Sequence, residues 1–158
     1  MGRKDPYPKE GLQPLRAPKA KALLVGEDPG DFQYYVSIFE VCGYRVRACN
    51  TFREGVLRLS AEVFDFVMVI QRTTRFEGRG VLKCAVETNQ SLPVLVVARR
   101  LDMGCYLEAM ELGAADYLIE PVTVSVMIRV LERHPPVQGG VRQRVRELGQ
   151  KERTAEGS

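Results

Sequence analysis

Phe64–Ile70 reads FDFVMVI, and from Phe66 onward every residue in it is apolar. A strand that is apolar at every position must be covered on both faces, the condition of a central strand in a parallel sheet. Val94–Ala98, VLVVA, repeats the pattern directly after Pro93. With a helical segment around Gly80–Glu87 between them, the two runs predict a sheet with helices on both sides.

Working outward, the same alternation continues in both directions. Ala22–Val25 forms a first strand that runs into Asp28-Pro29-Gly30-Asp31, where Asp28 suits an N-cap and Pro29 the first helical position. The helix so started extends to about Cys42, and Gly43 supplies its left-handed end. Tyr44, Val46 and Ala48 alternate with Arg45 and Arg47, which predicts a half-exposed strand at a sheet edge. Thr51 and Glu54 make a capping box for a helix with Phe52, Val56 and Leu57 on its inner face. Beyond Val94–Ala98, a helix over Met103–Leu112 stops at Gly113 and Asp116–Ile119 forms a fifth strand. Thr123 caps a last helix, whose Val124, Met127, Ile128 and Leu131 recur at helical spacing. The prediction is an α/β, doubly wound fold of five parallel strands with helices on both faces.

Composition narrows the function classes. The chain has 158 residues, 45% hydrophobic and 27% charged, which suits one ordinary domain with tails. Its longest apolar runs are far short of the ~20 residues that span a bilayer, and no apolar stretch follows the basic residues at the start. A cytoplasmic protein is expected. Cys42, Cys49, Cys84 and Cys105 form no C-x-x-C pair and read as buried free thiols. With His134 the only histidine, neither a transition-metal cluster nor a Ser-His-Asp arrangement is at hand.

The net charge of +3 is carried by the ends. Met1–Ala20 is net +3 with four prolines and reads as a disordered basic arm. Residues 135–158 form a second basic tail, net +2, broken from the last helix by Pro135-Pro136 and Gly139-Gly140. The body, Lys21–Arg133, is left slightly acidic at −2, which argues against a nucleic-acid-binding face. In the tail Val141, Val145 and Leu148 recur at helical spacing between Arg142, Arg144 and Arg146. This is either a short amphipathic helix for a partner or for self-association, or a frayed charged tail. No helix-turn-helix, kinase or cyclase pattern follows the domain.

Over Lys21–Arg133 the sequence resembles the receiver domain of two-component response regulators, of the chemotaxis-regulator, flavodoxin-like type. KALLVGEDP, CGYRVRACNTFREGV, FDFVMVI, SLPVLVVA and ELGAADYLIEP match its phrases in order and spacing. The resemblance implies a receiver-like domain over 21–134, strand order 2-1-3-4-5, and a site at the carboxyl ends of the strands. A working receiver accepts a phosphoryl group from a histidine kinase on an aspartate closing the third strand. Counted forward from Asp65 or back from Gly78, that position holds Ile70, and its neighbour Gln71 is no acid either. An acyl phosphate needs a carboxylate nucleophile. The family's paired Mg²⁺-binding acids match Gly26 and Glu27, with Asp28 beside them; its hydroxyl residue matches Ala98, and its lysine matches Glu120, before Pro121. Mg²⁺ is held through one or two carboxylates plus substrate phosphate, so no metal or other cofactor is expected.

The resemblance therefore implies a degenerate pseudo-receiver, an interaction module and not an enzyme. Tyr117 stands at the family's switch-aromatic position; with no acceptor to sense, it reads as a partly buried aromatic at a strand end sooner than a live switch, its exposed edge left to a partner face shared with Tyr106, Glu108, Glu111 and Arg129. The partner expected there is a signalling protein, a histidine kinase or an output protein, or a second copy. An alternative stays open: Arg72, Arg75, Arg99 and Arg100 could rim the mouth and bind a phosphorylated metabolite or nucleotide. Arg99-Arg100-Leu101-Asp102 has the R-x-x-D spacing met in cyclic dinucleotide sites. Against this stand solvated loop arginines, one of them paired with Glu120.

Overall fold

The computed structural model describes residues 20–136. Five strands, β1 (Ala20–Val25), β2 (Tyr44–Cys49), β3 (Phe66–Gln71), β4 (Val94–Ala98) and β5 (Asp116–Ile119), form one sheet in the order β2-β1-β3-β4-β5. All four pairings are parallel. The helices are α1 (Phe32–Val41), α2 (Phe52–Ala61), α3 (Arg79–Thr88), α4 (Met103–Leu112) and α5 (Val124–Arg133). The doubly wound fold and the 2-1-3-4-5 order are as expected.

Alternation along each strand divides the core in two. Ala22, Leu24, Met68, Ile70, Leu95 and Val97 point to the face covered by α1 and α5. Leu23, Val25, Val67, Val69, Val94, Val96 and Ala98 point to the face covered by α2, α3 and α4. Every residue of β3 and β4 is buried, so the apolar runs carry the largest share of the hydrophobic driving force.

The local signals work as chemistry predicts. The Thr51 side chain accepts from the Glu54 amide at 3.0 Å, and Thr123 accepts from Val126 at 3.2 Å. Gly43 and Gly113 take φ of 93° and 105°, the left-handed conformation that closes a helix without Cβ strain. Four details differ from expectation. The first strand begins two residues earlier, at Ala20, because Ala20 and Lys21 pair with Tyr44 and Arg45. The chain also enters α1 through a 3-10 turn, Pro29–Asp31, with Asp28 accepting from the Gly30 amide at 2.9 Å. Leu57, expected inward, is 61% exposed, and Cys84 is half-buried where the other three thiols are buried.

Candidate functional site

The carboxyl ends of β1, β3, β4 and β5 bring Gly26, Ile70, Ala98 and Glu120 to one edge of the sheet. Gly26 continues β1, its amide donating to the Cys49 carbonyl at 3.1 Å. A Cβ on Gly26 would stand 3.2 Å from the Ile70 Cβ and 3.3 Å from the Phe32 ring. Gly26, Ile70 and Phe32 therefore occupy one another's space, and the glycine is what lets the two apolar side chains close in. Ile70 is fully buried in the α1/α5 core. Where the resemblance places an acceptor carboxylate, carbon fills the volume.

The charged residues stand around this apolar floor. Arg72 Nη1 lies 2.8 Å from Asp28 Oδ2, and its Nε lies 3.8 Å from Asp31 Oδ2. Arg99 Nη2 reaches the other oxygen of Asp31 at 3.5 Å. The Asp28 carboxyl is held below its ordinary value, first by the Gly30 amide and, with burial opposing, by the Arg72 charge. Glu27 is exposed. Asp28 is thus engaged, Gly26 has no side chain and Ile70 no oxygen, so these residues do not fit a Mg²⁺ ion. Among the described residues no group of three or more His, Cys, Asp or Glu could hold a metal.

This geometry changes the reading of the arginines. Arg72 pairs with Asp28, and Arg72 and Arg99 converge on Asp31, so two carboxylates offset the charge of two of the four arginines. Among the described residues no arginine pairs with Glu120. Its carboxylate lies by the buried Tyr35, whose hydroxyl is pushed up first by burial and then by the Glu120 charge. Pro121 follows it and Glu120 donates its amide to the Ala98 carbonyl at 2.8 Å. Arg75 and Arg100 are exposed, and the aspartate of the R-x-x-D pattern caps α4: Asp102 Oδ1 accepts from the Cys105 amide at 2.9 Å.

Tyr117 is more deeply buried than the partly buried aromatic expected, and its exposed edge is the part corrected. It is 7% exposed and belongs to the α2/α3/α4 core, with the Tyr106 ring against it edge-on at 5.7 Å between centroids. It has no exposed edge for a partner, and burial raises its hydroxyl pKa. Tyr106 is half-buried; Arg129 is exposed on α5.

Gln71 has a role that the sequence reading missed. It is 1% exposed, and its amide spans the loop after β3: Nε2 donates to the Thr73 carbonyl at 3.1 Å, while Oε1 accepts from the Gly78 amide at 3.2 Å. Cys105 Sγ donates to the Thr74 carbonyl at 3.1 Å in the same loop. A Cβ on Gly78 would lie 2.3 Å from Val69 Cγ1, so only glycine lets the start of α3 sit this close to β3. The available signal was a lone polar residue at the end of an otherwise apolar central strand, since a buried amide must find partners.

Fold and mouth together define a class of protein, the CheY-like receiver fold. The crystal structure of a response regulator receiver domain protein (CheY-like) from Methanospirillum hungatei JF-1 superposes with a TM-score of 0.67 at 19% identity, covering 81% of this chain and 98% of that one. The Vibrio cholerae chemotaxis protein CheY4 gives 0.65 at 20% identity, over 73% and 98%. In sequence, the transcriptional regulatory protein ZraR of Escherichia coli K12 is 28% identical over 111 residues, 70% of this chain and 25% of that protein. The two-component response regulator-like APRR1 of Arabidopsis thaliana is 22% identical over 116 residues, 71% of this chain and 19% of that protein. The chain thus spans about a quarter of the first of these relatives; the structural similarities show the receiver fold, and the relatives in sequence are response regulators of which this chain matches one part. No family model matches the chain.

Proposed function

We propose that this is a noncatalytic receiver-like module of a two-component or phosphorelay-type pathway, which works in the cytoplasm through phosphorylation-independent contact with a signalling protein. The observation that carries the reading is Ile70, fully buried and packed against Gly26 where the resemblance locates the phosphoacceptor. Phosphoryl transfer to a receiver needs a carboxylate oxygen free to attack and a cation to offset the charge that develops. Ile70 offers no oxygen, and the nearby Asp28 and Asp31 are already paired with Arg72 and Arg99. Glu120, standing where the family has lysine, would repel a phosphoryl group.

Incubation with a small phosphodonor and Mg²⁺ tests this by intact mass. The expected outcome is an unchanged mass; a stoichiometric, acid-stable and base-labile phosphoryl adduct would overturn the reading. The alternative, a mouth that senses a phosphorylated metabolite, loses its support with the pairing of Arg72 and Arg99 to Asp31. A histidine kinase or an output protein is the kind of partner that a receiver-like surface fits, and the slightly acidic body leaves nucleic acid out of the proposal. Among the described residues no helix is long and apolar enough to cross a membrane.

A further inference from the structure

Helix α4 is apolar on two sides. Cys105 and Ala109 are buried against the sheet, yet Met103, Leu107 and Met110 are 56%, 52% and 37% exposed, with Leu101 just ahead at 60%. At about 100° per residue the three helical side chains fall within an arc of roughly 60°. The arc lies between Tyr106, which faces Tyr117 of the edge strand β5, and the exposed Glu111. A contiguous apolar stripe on a small domain marks a contact surface.

We propose that residues 141–148 of this same chain dock on that stripe as an amphipathic helix antiparallel to α4. Val141, Val145 and Leu148 repeat the spacing of Met103, Leu107 and Met110, four residues and then three. Run in the opposite direction, the two rows pair end to end, Val141 by Met110, Val145 by Leu107 and Leu148 by Met103. Reach agrees. In a parallel sheet each helix returns to the amino edge, so α5 and α4 finish at the same edge on opposite sides of β5. Four residues separate Pro136 from Val141 and allow roughly 17 Å, enough to turn the β5 edge, with Gly139-Gly140 to make the bend. Charge agrees too. Of the arginines flanking the row, Arg142 falls on the Glu111 side of the stripe and Arg144 on the other, and Glu108 is already taken by Arg79.

A helix this short is unstable alone and forms only on the surface that covers its apolar side. The segment thus acts as a strap, and any partner of α4 must displace it. The inference goes beyond the proposed function and does not depend on the chemistry of the Ile70 mouth.

Trypsin digestion of the full chain tests it, because cleavage follows the population of the open form. Replacing Leu107→Ser and Met110→Ser together leaves the tail sequence unchanged, so intrinsic cleavage rates stay the same. The expected result is about ten-fold faster cutting after Arg142 and Arg144 in this variant, with Arg153 unaffected. Leu57→Ser, at an exposed apolar residue of α2, should change nothing. Amide hydrogen exchange of 141–148 in the unaltered chain gives a reading free of substitution, with slowed exchange expected. Equal cleavage in both chains, or exchange at the rate of an unfolded peptide, would overturn the strap. Protection that rises with protein concentration alongside a sedimenting dimer would overturn it in favour of a second copy.

Discussion

The mouth of the sheet and the outer side of α4 treat apolar surface in opposite ways. At the mouth, Ile70 and Phe32 close over Gly26, and carbon stands where the resemblance places a polar site. On α4 the apolar side chains of Met103 and Leu107 face outward. The contrast teaches that the chemistry of the strand ends and the outer surface of a flanking helix are physically separable. The first rests on a few polar atoms at the strand ends, and the second on a helix surface that the core does not consume.

The largest expected effect breaks the filled mouth. Ile70→Asp should lower unfolding stability by about 4 kcal/mol in urea titration, because it removes a core side chain and buries a carboxylate without a partner. It should still take no phosphoryl group, since Gly26, Ala98 and Glu120 are unchanged. A phosphorylatable Ile70→Asp protein whose partner affinity shifts on modification would collapse the distinction.

Next in size is Tyr117→Ala, with a loss of about 3 kcal/mol by the same titration. Its neighbours Tyr106 and Cys105 keep it in the core, so an unchanged midpoint would show that the α4–β5 side yields far more readily than the strand ends.

The smallest effect sharpens the electrostatics. Asp28 is held below its ordinary 3.8, so its contribution to stability is present above about pH 4 and is lost as pH falls through the depressed value. Arg72→Gln should move the Asp28 pKa, followed by NMR titration, only part of the way back to 3.8. The Gly30 amide, the larger cause, remains. A complete return to 3.8 would assign the whole shift to the arginine.

The sequence made the strands legible because β3 and β4 are apolar at every position, apart from the buried Gln71 that ends β3, and it made the starts of α2 and α5 legible because Thr51 and Thr123 each cap an amide three residues on; Asp28 caps only the 3-10 turn that precedes α1. The departures from the family's pattern at Gly26, Ile70, Ala98 and Glu120 are read by position, from the resemblance alone. The pairing of Asp31 with Arg72 and Arg99 was not readable, since it joins three loops distant in the chain. Tyr117 misled for a related reason. Strand alternation fixes which face it takes, but whether that face is open depends on Tyr106 lying across it.

Gly26 and Ile70 are also interlocked in mutational space. A carboxylate at 26 would crowd Ile70 and Phe32, and a carboxylate at 70 alone would sit in the α1/α5 core with neither hydroxyl nor lysine to receive it. On the proposed reading, each single step toward phosphotransfer chemistry passes through a less stable protein without yielding a working site. The mouth behaves as a ratchet.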